Sequence, residues 1–314
     1  MDCAFSFFLM RLRFGYVLFD LQSAVLASIV ASARRSGNIV LYMPDGDRLR
    51  KNGYFITPNR KREGMFDLQN LSQEVCSEML QSHKGDLEGM EAEKATMERY
   101  FTENQLDRIE AYSGDKMSLV ELLNYSQERK LHAPMCFSVV VDTLMNQEEK
   151  PFLIVLDEAN CYFDQGHYFH MEYDENVRNS IPYNQINLFE HALGAIALST
   201  SDDDDDIPTS KLMKRGGIIL GVSESHAVSR KVTDGLTAFA KRHALAESSN
   251  LHVFEVPRFS ELECDHILAN FEATGVGKLR LDRGDTIMDD HEVAFLKTAS
   301  GRVGQELLDV SIYC

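Results

Sequence analysis

Apolar positions along the chain fall into short continuous runs separated by helical stripes, and this alternation predicts an α/β fold. The runs are Asn38–Met43, Phe152–Leu156 after Pro151, Gly216–Val222, and Leu251–Val256 closed by Pro257. Such runs read as strands buried on both faces, the signature of a parallel sheet covered by helices. Between the runs, Ala24, Val25, Leu26, Ile29, Val30 and Ala33 give one helix face from Ser23, with Arg34 and Arg35 in its last turn and Gly37 closing it. Gly64–Tyr112 is polar with helical period, its inner face carrying Phe66, Leu68, Leu71, Val75, Met79 and Leu80. Two more helices follow, Ser118–Tyr125 and Pro134–Leu144, parted at Ala133-Pro134 because proline disfavours helix in the residue before it. Leu188–Leu198 predicts another. Beyond Pro257 the pattern is wholly helical, at Glu261–Glu272, Asp290–Thr298 and Gly304–Val310.

Residues 1–22 differ from the rest. Phe5, Phe7, Phe8, Leu9 and Met10, then Phe14 to Phe19, clump without helical period or clean alternation. The Ala4–Met10 run is too short for a membrane span, which needs roughly 18 apolar residues, and no basic segment precedes it as in a signal peptide. The remaining composition, 44% hydrophobic and 26% charged over 314 residues, is that of a globular protein with room for one large domain and a smaller one. A net charge of −17 excludes adhesion to nucleic acid over the whole surface and leaves only local patches for it. Six scattered cysteines without C-x-x-C spacing indicate neither a zinc cage nor a disulfide framework.

The candidate chemistry sits at the end of the Phe152 strand. Asp157 and Glu158 follow four apolar residues directly, at the strand's carboxyl end, where open α/β sheets place their ligands. This is the Walker B pattern of P-loop NTPases. There the Asp holds Mg²⁺ through a hard oxygen and the Glu orients or deprotonates a water. Arg48, Arg50, Lys51, Arg60, Lys61 and Arg62 flank Tyr54 and Phe55 in a predicted loop or hairpin, an arrangement that grips RNA backbone and stacks on bases or else forms a solvated hairpin. Lys211–Arg215 is a second basic patch. His167 and His170, three apart, have no evident third ligand and read as a surface pair. The five aspartates 202–206 repel one another and read as a surface loop.

The order of these features resembles the death-associated protein three family, the AAA+-like GTP-binding protein in the head of the mitochondrial small ribosomal subunit. The resemblance rests on the Ser23 helix, Tyr42-Met43-Pro44, Met117–Leu123 before Ala133-Pro134, Asp157-Glu158-Ala159-Asn160, Gly216-Gly217 and Glu255–Glu263. It implies a P-loop NTPase core over 23–256 with a helical lid over 257–314, GTP or GDP with Mg²⁺, mitochondrial localisation, and rRNA and ribosomal proteins as partners. It also implies roles for single residues. Ser23 and Asp157 would hold Mg²⁺, Glu158 the hydrolytic water, Ser223 would sense the γ-phosphate, and Arg302 would reach phosphate from the lid.

The family places a phosphate-gripping loop directly before the Ser23 helix. Counting the pattern G-x-x-x-x-G-K-S back from Ser23 puts Gln22 in the lysine position and Leu21 and Tyr16 in the glycine positions. The P-loop, and with it the first strand, is therefore expected to be missing. Either nucleotide binding has been lost and the fold is kept as a scaffold, or residues 1–22 are not native and a true P-loop joins near Ser23; the second is the expectation. The function read from the sequence is a structural, GTP- or GDP-binding ribosomal component with slow hydrolysis at most. The alternative is an active AAA+- or STAND-like NTPase that switches a protein partner.

Overall fold

A computed structural model describes residues 6–11, 19–44, 46–51, 56–113, 116–159, 168–172, 177–198, 213–222, 251–255, 259–274 and 290–299. In chain order the first elements are β1 (Ser6–Arg11), α1 (Phe19–Arg35), β2 (Ile39–Met43), α2 (Gly46–Lys51), β3 (Ile56–Pro58), β4 (Phe66–Leu68) and α3 (Gln69–Leu87). Then come β5 (Glu91–Glu93), α4 (Lys94–Tyr100), α5 (Glu103–Ser113), β6 (Lys116–Ser118), α6 (Leu119–Glu128), α7 (Ala133–Asn146) and β7 (Phe152–Leu156). The hairpin β8 (Tyr168–Glu172) and β9 (Val177–Ile181) leads to α8 (Asn187–Leu198), β10 (Gly216–Val222), β11 (Leu251–Glu255), α9 (Glu261–Thr274) and α10 (Asp290–Ala299).

Five strands form one parallel sheet in the order β11-β1-β10-β7-β2. Successive side chains point to opposite faces, so the continuous apolar runs feed two cores. Val40, Val155, and the partly buried Tyr42, Leu153 and Ile219 pack under α1 against Leu26, Val30 and Ala33. Ile39, Leu41, Met43, Ile154, Leu156, Ile218 and Leu220 face the other way, into a larger core with α3, α6, α7 and α8. Within that core Val139, Val140, Val141 and Leu144 of α7 are fully buried, as befits a helix apolar all round. Gly37, at φ 81°, ends α1 in the left-handed turn that glycine adopts freely, and the Asn38 N–H returns to the Ala33 carbonyl at 3.0 Å.

Three expectations change. The first strand is present: Ser6–Arg11 pairs with β10 on one side and β11 on the other. A parallel strand in a sheet with both faces covered reads as a continuous apolar run rather than an alternation. The Phe14–Val17 stretch falls outside the described residues, as do Met1–Phe5, the aspartate run 202–206, His167 and Gly304–Val310. Gly64–Tyr112 is not uniformly helical either. Gly89, at φ 84°, breaks it, and the fully buried Ala92 pairs with Met117 across the short β5–β6 ribbon. Finally Arg48, Arg50 and Lys51 lie on α2, so only Arg60–Arg62 belong to a hairpin, the β3–β4 turn.

The edge strand β2 is closed by a side chain. His83, in α3 and 1% exposed, accepts the Val40 N–H at Nε2 at 3.1 Å, and its Nδ1 faces Asp86 at 3.3 Å. Covering an edge N–H in this way blocks further strand pairing. Burial holds the His83 proton affinity below its ordinary value of 6.5, against the opposing hydrogen bond of Asp86, and Arg34 lowers it further. The unfolded chain therefore takes up this proton first. The contribution of His83 to stability is present above pH 6.5 and is lost as pH falls through 6.5 towards the folded value. Urea midpoints measured either side of that pH should fall more steeply on acidification for the native chain than for His83→Gln; equal slopes would remove His83 from the account.

Candidate functional site at the carboxyl end of β7

The β2–β7 ladder continues one residue past β7, where the Asp157 N–H donates to the Met43 carbonyl at 2.9 Å. This fixes the Asp157 backbone at the sheet's carboxyl edge and aims the chain into a turn. Glu158 takes up that turn at φ 50°, in the left-handed region that non-glycine residues seldom occupy. Asp157 Oδ1 accepts the Glu158 N–H at 2.9 Å, a local bond that holds the strained residue in place. Both carboxylates are buried, Asp157 at 1% and Glu158 at 6% exposure.

Ser23 reaches the same point from α1. Its Oγ–H donates to Asp157 Oδ2 at 2.5 Å, joining residues 134 positions apart. A hydroxyl bonded to a carboxylate is a charge-assisted pair, stronger than a neutral one. Two further residues complete the site, and the sequence pattern did not assign them to it. Gly46 opens α2 against the Asp157–Glu158 turn, where a Cβ would stand 2.8 Å from the Glu158 carbonyl oxygen and 2.9 Å from that of Asp157. Tyr42, next to last in β2, has its hydroxyl pushed up to about 12 by burial and by the negative charge of Asp157, with Arg34 opposing. The signal for both was the Tyr42–Gly46 segment, a buried strand running straight into Pro-Asp-Gly.

Ser23 and Asp157 are thus brought together and Glu158 stands beside them, whereas Ser223 and Arg302 lie outside the described residues. A hydroxyl and a carboxylate are hard oxygen donors of the kind Mg²⁺ takes. Among the described residues no group of three or more His, Cys, Asp or Glu is placed to hold a metal ion. Phosphate does not fit. α1 is already helical from Phe19, so Ser23 sits in its second turn with its N–H inside the helical ladder rather than free for an anion.

The basic residues separate in two. Arg48 pairs with Glu74 at 2.7 Å on the surface. Arg62 is turned inward. Its guanidinium holds both oxygens of Glu190 at 2.5 Å, donates to Asn187 Oδ1 at 3.0 Å, and lies 5.6 Å above the Tyr100 ring. Asn187 and Asn59 donate in turn to Asp67. Arg62 therefore fastens the β3–β4 hairpin to α8, a role that follows from its being the one cation of the hairpin paired with the partly buried Glu190. Arg60 and Lys61 remain exposed, and the side chains of Arg50 and Lys51 fall outside the described residues. Lys214 faces Glu148 at 3.8 Å, and Arg215 donates to the carbonyls of Glu148 and Glu149.

A family model described as mitochondrial ribosomal death-associated protein 3 matches residues 22–308. The chain belongs to that family. Membership makes it a mitochondrial ribosomal protein of the small subunit, with ribosomal partners and mitochondrial localisation. The match to the family begins at residue 22, where the pattern of apolar residues changes character, and it takes in Ser23, Asp157 and Glu158. No helix among the described residues is long and apolar enough to cross a membrane. A search of curated proteins gave no match.

Proposed function

We propose that this chain is a structural component of the mitochondrial small ribosomal subunit, built on an AAA+-like P-loop NTPase sheet, that works without nucleotide turnover. The observation that carries the reading is the Ser23–Asp157 hydrogen bond at the carboxyl edge of a parallel sheet. It has the hydroxyl and carboxylate of the metal-facing half of a P-loop site, while the sequence has Tyr16, Leu21 and Gln22 where G-x-x-x-x-G-K-S has its glycines and lysine, and α1 starts before Ser23. In this chain the hydroxyl and carboxylate satisfy each other and tie α1 to the sheet. The pair acts as a structural fastening, which leaves GTP or GDP with Mg²⁺ unnecessary for folding. α9 and α10 begin the helical lid over 257–314, a reading supported by their own small core of Cys264, Leu268 and Leu296.

The buried Glu158 beside Asp157 is the feature that favours the second reading, an active AAA+- or STAND-like switch. The two part on nucleotide dependence. The chain should co-sediment with mitochondrial small subunits in nucleotide-free buffer and gain nothing from GTP and Mg²⁺. Association that appears only with GTP would favour the switch.

A further inference from the structure

Three stretches far apart in sequence bring cations to one surface. Arg129 and Lys130 stand where α6 passes into α7, Arg108 projects from α5, and Arg60 and Lys61 form the tip of the β3–β4 turn. An open cleft of about 660 Å³ is lined by Arg108, Arg129, Lys130 and Leu131, and a neighbouring one of about 210 Å³ by Arg60, Lys61 and the same Leu131. His132 borders both. Burial lowers its proton affinity, and the positive charges of Arg108, Arg129 and Arg60 lower it further, which places the three guanidiniums about one point.

All five cations are exposed, and none is ion-paired to another described residue. Across the two clefts they outnumber the three carboxylates, Asp67, Asp107 and Glu128. Amid them Leu131 is 64% exposed, so an apolar side chain stands open to a ligand between the charges. On a chain of net charge −17, unneutralised cations gathered by folding mark a site for a polyanion.

We propose that the surface formed by Arg60, Lys61, Arg108, Arg129 and Lys130 around Leu131 binds an RNA phosphodiester backbone. The guanidiniums and ammoniums meet phosphates, and Leu131 lies against the sugar and base surface between them. This rests on the ribosomal reading and names a surface for it. It also moves RNA contact away from Arg48 and Arg62, whose charges are met by Glu74 and Glu190.

The test measures binding of the full chain to a fluorescein-labelled oligouridylate against salt concentration. The comparison is with the triple variant Arg108→Ala, Arg129→Ala, Lys130→Ala and with a control, Arg35→Ala, Lys84→Ala, Lys116→Ala. Each phosphate that a cation neutralises on single-stranded RNA adds about 0.7 to the slope of log K against log salt, so the slope of the triple variant should be shallower by about two while the control keeps the native value. Equal slopes for native and triple variant overturn the proposal. Small-subunit co-sedimentation runs alongside. Native association that survives the triple substitution keeps the ribosomal reading and removes this surface from it. Oligouridylate binding that needs the surface, without any co-sedimentation, does the reverse. Loss of co-sedimentation in the triple variant with no oligouridylate binding by the native chain would assign the surface to an acidic protein and overturn the RNA proposal.

Discussion

Replacing Gly216 by alanine is expected to leave the sheet unable to form under conditions where the native chain is folded. Gly216 opens β10 at φ 145°, outside the range of ordinary side chains. It stands opposite Phe152 in the parallel register, so close that a Cβ would lie 1.8 Å from the Phe152 carbonyl oxygen and 2.6 Å from Met213 Sδ. The first of these atoms belongs to the backbone and has no rotamer by which to yield. Forbidden backbone geometry costs about 1–3 kcal/mol. Overpacking costs about as much again, and together the two approach the whole stability of a marginal domain. Gly64 is the matched control, since it has φ 76° but nothing within 4 Å of an added methyl. Gly64→Ala should lose only about 1 kcal/mol in urea denaturation. Similar losses at the two glycines would mean that β10 does not start against Phe152.

Arg62→Ala should cost about 2–4 kcal/mol, chiefly through what it leaves behind. Glu190, whose side chain is 13% exposed, would lose both charge-assisted bonds, and Asn187 would lose its donor. Lysine cannot restore a two-pronged contact, so Arg62→Lys should recover only part. Removing both partners deletes the stranded charge as well. The double variant Arg62→Ala, Glu190→Ala should therefore be more stable than the sum of the single losses predicts. Strict additivity would place Arg62 on the surface.

Much of the fold was legible because parallel strands buried on both faces declare themselves as runs. Asn38–Met43, Phe152–Leu156, Gly216–Val222 and Leu251–Val256 all lie in the sheet within a residue of the expected bounds. β1 escaped because a short apolar run without alternation cannot be told from a buried helical segment by periodicity alone, and no turn signal framed it. Gly89 and Ala92 hid a ribbon inside a stretch of helical period, since three-residue strands are too short to show alternation. At the site, Asp157 and Glu158 stood out by their adjacency at the end of an apolar run, whereas Ser23 entered only through the family resemblance. Their bond spans 134 residues and needed the sheet order to appear. The inward turn of Arg62 was not legible at all. Nothing in Arg-Lys-Arg distinguishes the member that meets a partly buried glutamate from its exposed neighbours.

The most direct test of the central claim is sedimentation of the full chain with purified mitochondrial small subunits in buffer stripped of nucleotide, repeated after adding GTP and Mg²⁺. A structural component fastened by its own Ser23–Asp157 pair should migrate with the subunit equally in both. Co-migration that requires GTP, or no co-migration in either, would contradict it.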